Sequence, residues 1–99
     1  MEKSFEVLTT PAFEEYISNL RDPIGKVKII SRLKKLESGN WGDASPVGSG
    51  VTELRIHFGP GYRIYCKTIG KTVVLILGAG SKHQQQSDIK KAIEAAESM

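Results

Sequence analysis

The sequence predicts a small α+β domain: a mainly antiparallel sheet in the order β-α-α-β-β-β, two helices packed on one face, and a C-terminal helix. Three observations predict it. Thr10-Pro11 and Asp22-Pro23 each place a capping side chain before a proline, and each opens a stretch with helical apolar spacing. Three apolar runs follow between residues 52 and 78, separated by glycine-bearing turns. A chain of 99 residues has room for one modest core and no second domain, so residues 1–99 form one unit.

Phe5-Glu6-Val7-Leu8 reads as a short first strand, with Phe5 and Val7 on one face. In the helix opened by Thr10-Pro11, Phe13, Tyr16, Ile17 and Leu20 fall at i, i+3, i+4 and i+7 and form an apolar stripe. The helix opened by Asp22-Pro23 has its stripe at Ile29, Ile30, Leu33 and Leu36, and Gly39 is placed to end it. So short a link predicts an antiparallel pair. Residues 39–50, rich in Gly, Ser, Asp and Asn, read as a loop, with Trp41 as a plug over the edge of the core. Strands are expected near 52–58, 61–68 and 72–78. A last helix near 86–97 carries a thin stripe of Ile89, Ala92, Ile93 and Ala96, which predicts weak docking.

The first hairpin is the most informative segment. With Gly59-Pro60-Gly61 as a three-residue loop, Phe58 faces Tyr62, Ile56 pairs with Ile64, and Leu54 pairs with Cys66. One face is then apolar. The other pairs His57 with Arg63, Arg55 with Tyr65, and Glu53 with Lys67, so it is cationic and aromatic. Continuing through the turn at Gly70-Lys71 sets Cys66 against Leu75 and Ile64 against Leu77. Val74 and Ile76 then fall on the charged face, Gly78 lies beside Arg63, and Arg55, Arg63 and Lys82 converge. Alternating charge is also what a solvated sheet face carries.

Net charge is +3 but unevenly spread. Residues 1–22 hold two basic and five acidic side chains, and residues 23–38 hold five basic and one acidic. A basic middle between acidic ends suits a polyanion partner, because Lys and Arg on phosphates release counterions. Lys28, Arg32 and Lys35 recur at i, i+4 and i+7 as a basic stripe on the second helix, a solubilising face or a phosphate contact. No apolar run reaches the roughly 20 residues of a membrane span. Met1-Glu2-Lys3-Ser4-Phe5-Glu6 has no signal-peptide core, and a lone Cys66 has no disulfide partner, so the expected compartment is the cytoplasm. His57 and His83 lack the cysteines or carboxylates that a metal centre gathers, and no metal or cofactor is expected. Cys66 reads as core packing. Gly78-Ala79-Gly80 is too short for a phosphate-binding motif.

Val51-Thr52-Glu53-Leu54-Arg55-Ile56, Gly61-Tyr62-Arg63-Ile64-Tyr65, and Gly78-Ala79-Gly80-Ser81-Lys82 with Gln86-Ser87-Asp88-Ile89-Lys90-Lys91-Ala92 resemble the RelE/ParE toxin superfamily. The resemblance is to its HigB-like "addiction module killer protein" branch and covers nearly the whole chain. It implies a RelE-like fold and a type II toxin that cleaves mRNA on the ribosome without metal. The expected partners are a cognate antitoxin, often with a helix-turn-helix domain, the mRNA and the ribosome, in a toxin–antitoxin hetero-oligomer with no membrane contact. By position it implies catalytic roles for Arg63 at the scissile phosphate, for Lys82, and for Arg55. Lys28, Arg32, Lys35, His57, Tyr65, Lys67 and His83 are the expected RNA contacts. The C-terminal tyrosine or histidine that some relatives use as general acid has no counterpart, so the acid and base stay open. The competing readings are a ParE-like toxin that binds DNA gyrase and a degenerate toxin that retains only antitoxin binding.

Overall fold

A computed structural model describes residues 4–99. The start of the chain at residues 1–3, on which the expected lack of a leader partly rests, lies outside the described residues. The elements run β1 (Glu6–Thr9), α1 (Pro11–Asn19), α2 (Pro23–Glu37), β2 (Ala44–Gly48), β3 (Val51–Ile56), β4 (Tyr62–Ile69), β5 (Val73–Ser81) and α3 (Gln85–Glu97). The five strands form one sheet in the order β1-β5-β4-β3-β2. Among the described residues only the β1–β5 pair is parallel, and every other pair is antiparallel. Among the described residues no helix is long and apolar enough to cross a membrane.

Both helix starts form as the sequence predicts. The Thr10 hydroxyl accepts from the Phe13 amide, and the Asp22 carboxylate accepts from the Gly25 amide, with proline at the first turn each time. The α2 stripe buries Ile29, Leu33 and Leu36, but Ile30 is 39 % exposed. Ile30 lies too far round the helix to share the face of Ile29 and Leu33. Gly39 follows α2, its amide bonded to the Leu36 carbonyl. Trp41 meets Phe5 edge to face at 5.6 Å, closing the rim of the core.

Two cores sandwich the sheet. Beneath α1 and α2 lie Phe13, Ile29, Leu36, Leu54, Ile64 and Cys66, joined by Val74 and Ile76. Burying each large aliphatic side chain there stabilises the fold by about 1.5–3 kcal/mol. On the opposite face α3 presses Ala92 and Ala96 onto Val51, Tyr65 and Leu77. Burial, only partly offset by the Arg32 charge, pushes the Cys66 thiol up to about 12, in keeping with packing and not chemistry.

The strands correct three expectations. Within residues 39–50 an edge strand forms, and the tight turn Ser49-Gly50, both with positive φ, returns it to β3. The β3–β4 hairpin closes at Ile56↔Tyr62 and leaves five loop residues, so Leu54 pairs with Ile64 and Arg55 with Arg63. The register is shifted by two from the sequence reading, which changes every partner and preserves both faces. In β5 a bulge leaves Leu77 unpaired between Cys66↔Ile76 and Tyr65↔Gly78. Ahead of that bulge the turn sets Ile69 opposite Val73 and not Thr72, so Val74 and Ile76 point into the α1–α2 core while Leu75 and Leu77 go under α3. Gly80, not Gly78, lies opposite Arg63.

Candidate functional site

The hairpin places the cationic residues. Arg63, at the second position of β4, projects to the α3 side of the sheet and is 5 % exposed. Its guanidinium Nη1 has only long contacts, 3.5 Å each, to the Gly61 and Tyr62 carbonyls, and its Nε finds no partner among the described residues. Lys82 arrives from the end of β5, where its amide donates to the Gly61 carbonyl at 2.7 Å. The two side chains meet over Gly61: a Cβ built there would lie 3.3 Å from Lys82 Cβ and 3.6 Å from Arg63 Nη1. With φ at +78°, Gly61 suits glycine on backbone grounds too. A cationic corner with an under-used guanidinium is chemically fit to hold a phosphate.

Arg55 is engaged differently. Its Nη2 and Nε donate to Asp43 at 2.8 and 3.2 Å, and its Nη1 donates to Ser45 at 2.6 Å and Glu53 at 3.1 Å. Asp43 also takes His57 Nε2 on its other oxygen at 2.6 Å. The bonds from Arg55 first, and His57 second, hold the Asp43 carboxyl well below the usual carboxylate range. Glu53 is 1 % exposed and accepts from Gln85 Nε2 at 2.7 Å, which ties the first turn of α3 to the sheet. Arg32 reaches from α2 to donate to the carbonyls of Arg55, Trp41 and Asp43 at 2.7, 3.0 and 2.9 Å. A polar chain thus runs from α2 through the Trp41–Asp43 loop and Arg55 to α3.

The fold has counterparts among solved structures. It superposes on a mutant of the Escherichia coli toxin RelE in the free state with a TM-score of 0.73, over 93 % of this chain and 97 % of that one, at 12 % identity. It also matches the RelBE2 toxin–antitoxin complex from Mycobacterium tuberculosis with a TM-score of 0.65, over 80 % of this chain and 99 % of that one, at 18 % identity. The fold is RelE-like. In sequence, an uncharacterized protein of Haemophilus influenzae is 40 % identical over 89 residues, 90 % of each chain. The chain belongs to the family of that protein. No protein-family model matches it.

On this RelE-like frame, the residues singled out from the sequence separate into groups. Arg63 and Lys82 come together as expected. Arg55 is the Cα partner of Arg63, but its donors are spent on Asp43, Ser45 and Glu53, which leaves it less free than Arg63 to meet a ligand. Tyr65 is 1 % exposed beneath α3, which corrects its reading as an RNA contact. Its phenol is pushed up by burial above all, then by the Glu53 and Asp88 carboxylates. Arg32 caps three carbonyls and has no free fork to offer phosphate, a correction to the basic stripe. Lys28 instead sits over the Phe58 ring at 4.9 Å, and Lys35 is exposed. Lys67 donates to the Ala96 carbonyl near the end of α3 at 3.4 Å, and His83 is exposed just after Lys82.

Four residues that were not among the candidate site residues complete the picture: Asp43, Glu53 and Gln85 in the polar chain, and Asp22, which accepts from Tyr62 at 2.6 Å. Burial and that bond raise Tyr62 to about 12. Glu53 alone carried a signal, since a carboxylate alternating with core residues in a strand needs a buried cationic partner. No cluster of His, Cys, Asp or Glu fit for a metal occurs among the described residues.

Proposed function

We propose that this chain is the toxin of a type II toxin–antitoxin pair, of the HigB-like branch, and that it cleaves ribosome-bound mRNA without a metal. The observation that carries the proposal is the meeting of Arg63 and Lys82 over Gly61, on a fold shared with RelE. In the reaction the RNA 2′-oxygen attacks the adjacent phosphorus, its proton passes to a base, and the 5′-oxygen leaves with a proton from an acid. Arg63, short of partners, neutralises the growing charge on the phosphorane, and a preorganised donor of this kind contributes about 3–4 kcal/mol. Lys82 binds the same phosphate. Of the two histidines His57 is the one held in place, by Asp43, so it is the proton-transfer group we assign. An antitoxin is the expected partner, as in the RelBE2 complex, and the cytoplasm is the expected compartment.

A second reading, a ParE-like toxin that acts through DNA gyrase, is favoured by one observation: Arg63 is only 5 % exposed. Induced expression separates the two. Wild type is expected to arrest growth and to create new 5′ ends within translated messages. Arg63→Ala and Lys82→Ala should each lower cleavage about 10²–10³-fold. Arrest by both variants at the wild-type level, without new mRNA ends, would overturn the nuclease reading.

A further inference from the structure

The outer face of α2, turned away from the sheet, carries three large aliphatic side chains in a row. Ile24 is 60 % exposed, Val27 67 % and Ile30 39 %, and these are half of the six large apolar residues that stand exposed among the described residues. Their spacing at i, i+3 and i+6 lays them along one ridge, while Gly25, Ile29, Leu33 and Leu36 of the same helix face the core. The fold itself does not account for the ridge. Valine and isoleucine lose side-chain freedom in a helix and bury nothing where water surrounds them, so lysine, glutamate or alanine would hold an exposed turn better. Lysines border the ridge. Lys26 and Lys28 flank Val27, Lys34 stands two turns beyond it on the same line, and Lys35 follows. The one acidic residue of α2 is Glu37, at its end.

We propose that this ridge anchors a partner protein through an acidic amphipathic helix. The apolar stripe of that helix lies on Ile24, Val27 and Ile30, and its carboxylates meet the bordering lysines. An apolar line of this kind receives the i, i+3, i+4 and i+7 anchors of a facing helix. Four lysines against one glutamate on α2 select an acidic partner over a basic one. Other occupants fit less well. A second copy of the chain, seated about a two-fold axis, would bring lysines against lysines. An RNA strand would find charge for its phosphates but an aliphatic crest where its bases need aromatic faces. Membrane-surface helices present a broad apolar face, often with tryptophan or phenylalanine, and this ridge is one side chain wide. The inference rests on the toxin–antitoxin reading for who supplies the helix, the antitoxin, and adds where it is held. Arg63 lies on the α3 side of the sheet and α2 on the other, so the anchor holds its partner without covering the cationic corner.

The probe is a synthetic helical peptide of about 18 residues, with leucine at i, i+3, i+4 and i+7 and glutamate along both flanks. Titrated into the full chain and followed by amide NMR, it is expected to shift residues 24–34 and to leave 61–65 in place. Val27→Glu sets a carboxylate at an exposed position without touching the core, and it should weaken the peptide about tenfold or more. Lys34→Glu should weaken it too, and a peptide with lysine in place of glutamate should not bind. Equal binding of the two peptides, or full binding of the acidic one to Val27→Glu, overturns the proposal. A wild-type dimer that Val27→Glu dissolves overturns it in favour of a second copy. Loss in Val27→Glu of binding to phosphatidylglycerol vesicles or to a single-stranded RNA oligonucleotide, with no peptide bound by wild type, overturns it in favour of that ligand. In cells Val27→Glu should arrest growth as wild type does, and should escape neutralisation by the product of the reading frame beside the gene. If wild type arrests nothing while the peptide preference depends on Val27, the toxin reading fails and the anchor stands. Neutralisation of Val27→Glu at the wild-type level sinks the anchor and leaves the toxin reading intact.

Discussion

Arg32 has the environment of a strut. Its guanidinium satisfies three backbone carbonyls from two segments at once, and burial above all lowers its pKa against the pull of Asp43. Removing it strands those carbonyls near the core edge, so Arg32→Ala should destabilise the protein by about 2–3 kcal/mol in urea unfolding. Lysine, with no planar fork, should recover less than half of that. An effect near zero would mean water replaces all three bonds. Asp88 behaves in the opposite sense. Burial raises its carboxyl above 3.8, partly offset by Lys91, so the folded chain holds that proton more tightly than the unfolded chain. Its contribution is full below 3.8 and is lost as pH rises through the raised value. Asp88→Asn should therefore raise Tm at pH 7 and leave it nearly unchanged at pH 3. Asp22 titrates the other way: the Tyr62 bond lowers its pKa, and the stability it gives is lost as pH falls below 3.8.

At the scale of elements, what the sequence disclosed depended on how local the cause was. The caps of α1 and α2 are contacts across three residues, and both were legible. The faces of β3 and β4 were legible because a period of two survives a two-residue slip. Their register was not, because it depends on a five-residue loop whose internal bond, Gly61 amide to Phe58 carbonyl, no residue type announces. The face assignment of β5 failed at its turn, which holds three residues where two were read, so Val74, Leu75, Ile76 and Leu77 change faces together; the bulge at Leu77 then carries Gly80 opposite Arg63. Strand β2, with Ala-Ser-Pro-Val-Gly, has little strand propensity; its proline is tolerated because β2 is the edge of the sheet. In the candidate site, Arg63 and Lys82 were readable from strand position and the resemblance, whereas two of the three partners of Arg55, Asp43 and Ser45, come from a segment that was read as loop. Gly80 shows how tightly α3 is fitted: a Cβ there would collide with the Asp88 carboxylate. Gly80→Val should cost about 1–3 kcal/mol by overpacking, read as a fall in the unfolding midpoint. An unchanged midpoint would show that α3 shifts freely.

For the whole molecule, the two sides of the sheet are unequally held. The α1–α2 side is packed by Phe13, Ile29, Leu33 and Leu36, all buried, whereas α3 contributes only alanines, Ala92 and Ala96, to full burial. Alanine covers little apolar area, so the free energy holding α3 falls well short of that holding the opposite layer. Its polar ties, Gln85 to Glu53 and Lys67 to the Ala96 carbonyl, are single hydrogen bonds of about 1 kcal/mol each. Opening of α3 should therefore precede global unfolding, in the way weakly packed units open first in native-state hydrogen exchange. The α3 amides are expected to exchange with an opening free energy at least 2 kcal/mol below that of the β4 and β5 amides. Gln85→Ala should lower it by about 1 kcal/mol more without moving the β4 value. That difference bears on function, since Arg63, Glu53 and Tyr65 all lie on the face that α3 overhangs, and whatever reaches Arg63 gains access when α3 yields. Equal protection of α3 and β4 would show one cooperative unit and would leave the Arg63 corner open only through the gap beside Gly61.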